Sequence, residues 1–279
     1  MNLNALKNIC LPSILLLTFT RPLLAQDEAG FSAEGSVDYF SQYIWRGLKL
    51  NTDSVLQFNA QAGIWGLTAA VWLDMPLTRA NGTRTAGKPD EIDFLLDFSR
   101  NIPGLNDIVG YSVGIAHYRF MEYDDPTTEI YGGLNFNIPS SPSITWNRDI
   151  GTIDGSYICL GLGHTFENLV TWSDSGSINL ELNASVALGT AAYNAGYFET
   201  EKTRFNDFTL NVALPINLKY GISIAPSFNT STMLSKDIRD AYVYGNRKPT
   251  SVWAGIKLSI SYESASAAST ETPSDAEQD

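Results

Sequence analysis

Hydrophobic and polar residues alternate along this chain with period two, in segments of about ten residues, which is the signature of β-strands with two unlike faces. Leu56, Phe58, Ala60, Ala62 and Ile64 share one parity, and Gln57, Asn59 and Gln61 the other. Leu67, Ala69, Val71 and Leu73 alternate with Thr68, Ala70, Trp72 and Asp74 after a tight turn at Trp65-Gly66. Ile92, Phe94, Leu96 and Phe98 oppose Asp93 and Asp97. The longest clean run is Ile178, Leu180, Leu182, Ala184, Val186 and Leu188 against Asn179, Glu181, Asn183 and Ser185. Comparable segments begin near Ala33, Val109, Ile130, Ile144, Ile158, Phe208, Ile222 and Val252.

The count comes to about twelve strands, an even number that returns a closed sheet to the side where it started. Connections differ in length: long ones fall at 42–54, 76–90, 121–128, 190–204 and 231–249, and short ones at 65–66, 139–142 and 215–220. Those at 101–107 and 167–176 break the alternation of lengths, although Pro103-Gly104 and Asp174-Ser175-Gly176 carry turn chemistry. The polar parity is mostly Asn, Gln, Ser, Thr and Gly, whereas the solvated face of a soluble sandwich would carry more Lys and Glu. Strands of about ten residues also suit a tilted crossing of a bilayer better than the five or six usual in soluble sheets. The fold class expected is all-β, an antiparallel transmembrane β-barrel over residues 26–262.

Composition supports this. Charged residues make up 17% of the 279, below the soluble average of about 25%. There are 13 Phe, 13 Tyr and 6 Trp, and Tyr39, Trp72, Tyr111, Trp146, Tyr220 and Tyr262 fall where interfacial girdles are expected. Lys7, the apolar run Ile9–Phe19 and Leu23-Leu24-Ala25 read as a signal peptide over 1–25. Its removal takes Lys7, Arg21 and Cys10, moving the formal charge from -12 to about -14 and leaving Cys159 alone, so no disulfide is expected. Such acidity argues against a nucleic-acid partner. Glu263, Glu271, Asp275, Glu277 and Asp279 lie in a Ser/Ala-rich stretch over 263–279, too polar for a core and expected to be disordered.

Trp253-Ala254-Gly255-Ile256-Lys257-Leu258-Ser259-Ile260-Ser261-Tyr262 alternates strictly and ends on an aromatic. It resembles the terminal strand read by the bacterial barrel-assembly machinery, which makes that machinery an expected partner alongside outer-membrane lipid. Asp38-Tyr39-Phe40-Ser41-Gln42-Tyr43-Ile44-Trp45-Arg46-Gly47-Leu48 resembles the opening strand and aromatic-x-Arg-Gly loop of the TorF-type putative porin family. Ile64-Trp65-Gly66-Leu67 with Val71-Trp72, Glu91-Ile92-Asp93, Tyr111-Ser112-Val113-Gly114 with Tyr118, and Glu129-Ile130-Tyr131-Gly132-Gly133 are similar to its later segments. The resemblance covers roughly residues 36–165 and implies an outer-membrane barrel; it implies little about a substrate.

Candidate chemistry is sparse. By parity Asp74, Asp93, Asp97, Glu129, Glu181 and Lys257 face inward, since a Lys or Arg on the lipid side costs about 2–4 kcal/mol near midplane. They are the pore-lining candidates, and a ring of carboxylates would favour cations. Arg46 and Lys49 form a candidate loop filter; the alternative is that Arg46 pairs with a strand carboxylate such as Asp74 or Asp38 and locks the rim. His117 and His164, the two histidines, have no ligand cluster around them, so no metal is expected. With no Gly-x-Ser-x-Gly elbow, no triad spacing and no phosphate loop, no catalytic residue and no cofactor are expected. The expectation is a passive channel for small polar solutes or ions, mildly cation-preferring. Its rival is a closed structural or adhesive barrel binding partners through long external loops such as 76–90 and 231–249, with Thr78–Lys88 a candidate constriction or surface loop.

Overall fold

The computed structural model describes residues 30–79, 85–121, 126–172, 176–244 and 248–264. The proposed signal peptide, the chain beyond 264 and the middle of the 76–90 loop lie outside them. Twelve long strands form the wall: β1 (Phe31–Phe40), β4 (Val55–Ile64), β5 (Leu67–Pro76), β6 (Glu91–Asn101), β7 (Val109–Phe120), β8 (Thr127–Phe136), β9 (Ser143–Asp149), β10 (Ser156–Thr171), β11 (Ser177–Gly189), β12 (Arg204–Ala213), β14 (Ile222–Met233) and β15 (Thr250–Glu263). Three short pieces complete the sheet structure, namely β2 (Tyr43–Trp45), β3 (Leu48–Asn51) and β13 (Ile216–Asn217), and two helices are present, α1 (Ala191–Phe198) and α2 (Lys236–Tyr244).

Each wall strand pairs antiparallel with its sequence neighbour in the wall. β1 and β15 close the ring, running in register from Ser32↔Glu263 to Phe40↔Gly255. This is the expected twelve-stranded closed barrel, which leaves no free edge. Burial is inverted relative to a soluble protein. Phe94, Leu96, Val113, Leu162, Val252 and Leu258 are exposed on the outside, while Ser36, Asp38, Gln57, Asp97, Glu181 and Asn229 are buried inside. Only a hydrocarbon solvent makes that arrangement favourable, because the outer face then sheds apolar area from water at about 25 cal/mol per Å2. Tyr39, Trp146, Tyr220 and Tyr262 project outward as the girdle reading expected. Trp72 does not; it is buried inside against Tyr43, with ring centroids 5.7 Å apart.

The connections sort by end. β4 turns into β5 through Trp65 (φ 53°) and Gly66 (φ 79°), the two left-handed residues of a tight hairpin whose twist matches its strands. The β6–β7 and β10–β11 connections, which broke the pattern of lengths in the sequence, leave from this same end. Gly66 has no room for a methyl: a Cβ there would collide with the Ser99 carbonyl oxygen. Gly66→Ala therefore destabilises the barrel by about 1–3 kcal/mol, read as a lower urea midpoint in lipid vesicles. At the other end the long connections fold back as structure. α1 buries Tyr193 and Tyr197, α2 buries Ile238 and Tyr242, and each pair has the i,i+4 spacing of one helix face. β2 and β3 pair only with each other, as a separate inner hairpin.

Candidate functional site

The interior holds a cavity of about 880 Å3 that runs from the Trp65-Gly66 turn at one end to Tyr43, Trp45, Arg46 and Gly47 of the inner hairpin at the other. Its wall is built by the inward parity of the strands. Asn183 Nδ2 donates to Asn211 Oδ1 (3.1 Å) and Asn211 Nδ2 to Asn229 Oδ1 (2.6 Å), an amide ladder across β11, β12 and β14. Across β15, β1 and β4, Lys257 Nζ donates to Glu34 Oε1 at 2.8 Å, and Gln61 Nε2 to Glu34 Oε2 at 3.3 Å. Acidic side chains in the lining outnumber basic ones: Glu34, Asp38, Glu167, Glu181, Asp207 and Glu263 against Arg46 and Lys257.

The hairpin crosses the mouth. It leaves the wall between β1 and β4, and its tip is Arg46 (φ 44°) followed by Gly47 (φ 76°), again a two-residue left-handed turn. From there Arg46 reaches Glu129 on β8, with Nη1 to Oε1 at 3.1 Å and Nη2 to Oε2 at 2.8 Å. The guanidinium carbon also lies 4.3 Å from the ring centroid of Tyr157 on β10. β8 and β10 flank β9, which faces β1 across the ring, so the hairpin spans the lumen from wall to wall. Gly47 sits where a Cβ would press on Asp207 Cβ (2.8 Å) and Met233 Cε (3.0 Å), atoms of β12 and β14. Only glycine satisfies both that gap and the positive φ.

Around the tip lies the larger of the two buried apolar clusters among the described residues. Trp45, Leu48, Tyr157, Tyr193, Tyr197 and Met233 are all buried in it. Trp45 packs edge-on against Tyr197 at 5.4 Å, and Arg46 is held between Trp45 (4.7 Å) and Tyr157. The Lys49 amide donates to Tyr242 Oη of α2 at 2.6 Å, and the Tyr43 hydroxyl donates to Glu91 Oε2 at 3.3 Å. Burial opposes the charge on Arg46, but the Glu129 carboxylate more than offsets it and holds the guanidinium pKa above its ordinary value. Burial likewise pushes the Tyr193 hydroxyl up. The helices are tied in by amides: Asn194 Nδ2 donates to the Gly189 and Lys202 carbonyls (2.9 and 2.8 Å), and Asn206 Nδ2 to Asn194 Oδ1 (2.8 Å). Arg204 Nε meets Asp237 Oδ2 at 2.7 Å, joining α2 to the foot of β12.

The sequence candidates separate into two groups. Glu181 and Lys257 face the cavity. Asp74 (0% exposed), Asp93 (1%) and Glu129 (1%) are on the inner face but sealed from the lumen. Gln57 Nε2 donates to Asp74 Oδ1 at 3.0 Å. Asp97 is buried too, accepting from the Tyr131 hydroxyl at 2.7 Å and from Ser99 Oγ. Arg46 is committed to Glu129 on the far wall, not to Asp74 or Asp38 of the near wall. Lys49 is half-buried; burial and Lys248 lower its pKa. Glu34, Asp38 and Asp207 were missed as lining residues, though the parity of β1 and β12 assigns them inward. Nothing in the sequence pairs Arg46 with Glu129, because they are 83 residues apart.

No family model matches this chain and no curated protein matches it, so the TorF-type resemblance rests on the residues quoted above. Among solved structures, the chain is similar to the KdgM porin in complex with disordered oligogalacturonate, with a TM-score of 0.47 and 8% identity over 83% of this chain and 99% of that chain. The β-domain of the Bordetella autotransporter BrkA gives a TM-score of 0.38 at 7% identity over 84% and 99%. The Salmonella typhi OmpF complex with daunomycin gives 0.38 at 7% over 83% and 97%. The geometry itself places the chain: a closed antiparallel barrel with a polar interior and an apolar, aromatic-flanked outer belt is a protein of the bacterial outer membrane.

Proposed function

We propose that this barrel is a porin-like channel that passes small polar solutes and ions by diffusion, with a mild preference for cations. The observation that carries the reading is the polar cavity inside the wall, whose acidic side chains outnumber its basic ones. Both basic groups are already engaged, Arg46 with Glu129 and Lys257 with Glu34. The lining therefore carries a net negative formal charge, which raises the local concentration of cations. Conduction needs no chemistry from the wall beyond hydration by its amides and hydroxyls.

Of the sequence candidates, Glu181 and Lys257 carry the selectivity in this reading, together with Glu34 and Asp38, while Glu129 holds Arg46 at the mouth and Asp97 is tied to Tyr131 and Ser99 near the opposite end of the barrel. The wall's partners are outer-membrane lipid and, through β15, the barrel-assembly machinery. Glu181→Gln tests the assignment. One charge about 8 Å from a permeating ion in water is worth roughly 0.5 kcal/mol, attracting a cation and repelling an anion by that amount, so the cation-to-anion permeability ratio falls about fivefold at low salt. The reversal potential in a salt gradient reads this directly, and an unchanged ratio removes Glu181 from the filter.

The hairpin across the mouth favours a second reading, a closed structural or adhesive barrel that presents its external loops to a partner. The two differ in one observable: a closed barrel inserts into a bilayer and carries no current.

A further inference from the structure

We infer that the β2–β3 hairpin is a gate, latched shut by the Arg46–Glu129 pair; this rests on the channel reading above. Three observations carry it. First, the wall does not need the hairpin. β1 and β4 pair without interruption from Phe31↔Ile64 to Phe40↔Val55, so residues 41–54 are an excursion from a finished sheet edge pair. β2 and β3 bond only to each other, and no ladder to the wall has to break for them to leave.

Second, the hairpin is tethered at both ends on one side and latched on the other. Its root lies between β1 and β4, while the tip contacts β8, β10, β12 and β14 through Arg46 and Gly47. Withdrawal of the tip opens the lumen on the far side without unthreading the chain.

Third, the latch is chemically suited to reversal. Arg46 and Glu129 are both buried when closed, and Tyr118 adds a second donor to Glu129 Oε2 at 3.2 Å. When the tip swings away, Glu129 is left facing a water-filled lumen and Arg46 enters water, so each charge regains its hydration. A buried ion pair is close to neutral against hydrated ions, unlike an apolar contact of the same size. The pair thus adds only a modest margin to the packing of Trp45 and Leu48 at the tip, so a change in the pair shifts the balance between closed and open. Removing one partner should open the gate, because the remaining charge can no longer be buried. Replacing both by apolar side chains should lock it.

The test is open probability in planar bilayers for the full chain, with insertion verified by the heat-modifiable electrophoretic mobility of folded barrels. Glu129→Ala is expected to raise open probability at least about tenfold over the starting protein. The double variant Arg46→Met with Glu129→Leu is expected to lower it below the starting protein. A variant with residues 43–50 replaced by a short Gly/Ser linker is expected to conduct continuously. If the linker variant conducts while Glu129→Ala opens no more often than the starting protein, the latch is overturned and the channel reading stands. If the inserted linker variant is silent, the channel reading falls and the gate falls with it.

Discussion

Arg46→Ala exposes the inner hairpin to solvent exchange while leaving the wall in place. The substitution strands Glu129, which is 1% exposed, while the Tyr118 hydroxyl still donates to it. It also removes the guanidinium from between Trp45 and Tyr157. Breaking a buried pair on one side costs about 3–5 kcal/mol, because the surviving charge stays desolvated. Here the protein can escape part of that cost by lifting the hairpin, so the effect appears as local opening rather than as collapse of the barrel. Amide exchange at Trp45 and Leu48 is expected to accelerate by roughly two orders of magnitude or more. Exchange in the β11–β12 ladder should be unaltered. Adding Glu129→Gln removes the orphaned charge and is expected to recover much of the protection, which isolates the pair from the packing around it. Equal acceleration in both variants would mean that packing, and not charge, seats the hairpin.

Leu96→Arg is the second large effect, and it acts on the other face of the wall. Leu96 is 46% exposed on the outside of β6, beside Ala69 and Ile115 in the neighbouring strands. In water such a change on an exposed side chain would be nearly neutral. At the middle of a hydrocarbon belt it costs about 2–4 kcal/mol. Ser223→Arg, on the lumen side of β14, provides the contrast, since the new charge stays in water. Guanidinium unfolding into lipid vesicles should separate the two by about 2 kcal/mol or more. Equal midpoints would show that the apolar face is not in contact with lipid.

All twelve wall strands were legible because one physical rule, apolar toward lipid and polar toward the lumen, governs each of them at period two. Even β9, with little beyond Ile144 and Trp146 on its outer face, kept its place. β10 extends well past the alternating segment around Ile158 and Leu162, to Thr171. His164 weakens the apolar signal there, although it keeps the outward parity and packs edge-on with Phe166 at 4.5 Å.

What sequence patterning could not supply is what fills the mouth. The segments around 42–54, 190–204 and 231–249 read as loops because none carries a period-two run long enough for another crossing of the bilayer. The apolar residues of the last two follow a helical spacing, Tyr193 with Tyr197 and Ile238 with Tyr242, and they are buried with Trp45 and Leu48 of the first only when the three distant segments meet. The same holds for the site. Parity puts Asp74, Asp93, Asp97 and Glu129 on the inner face, and the structure has them there. Parity cannot say that a hairpin covers that side of the lumen, nor that Arg46 crosses the ring to Glu129 when Asp38 and Asp74 lie nearer its root. Inward parity and access to the lumen are different properties, and only the packing at the mouth separates Glu181 from Glu129.

The measurement that bears most directly on the account is single-channel recording of the refolded full chain in a planar bilayer under a potassium chloride gradient. An acid-lined channel behind a latched hairpin predicts discrete current steps, brief and well separated, with a reversal potential displaced toward that of potassium. A silent bilayer containing inserted protein, or steps that reverse on the chloride side, would contradict it.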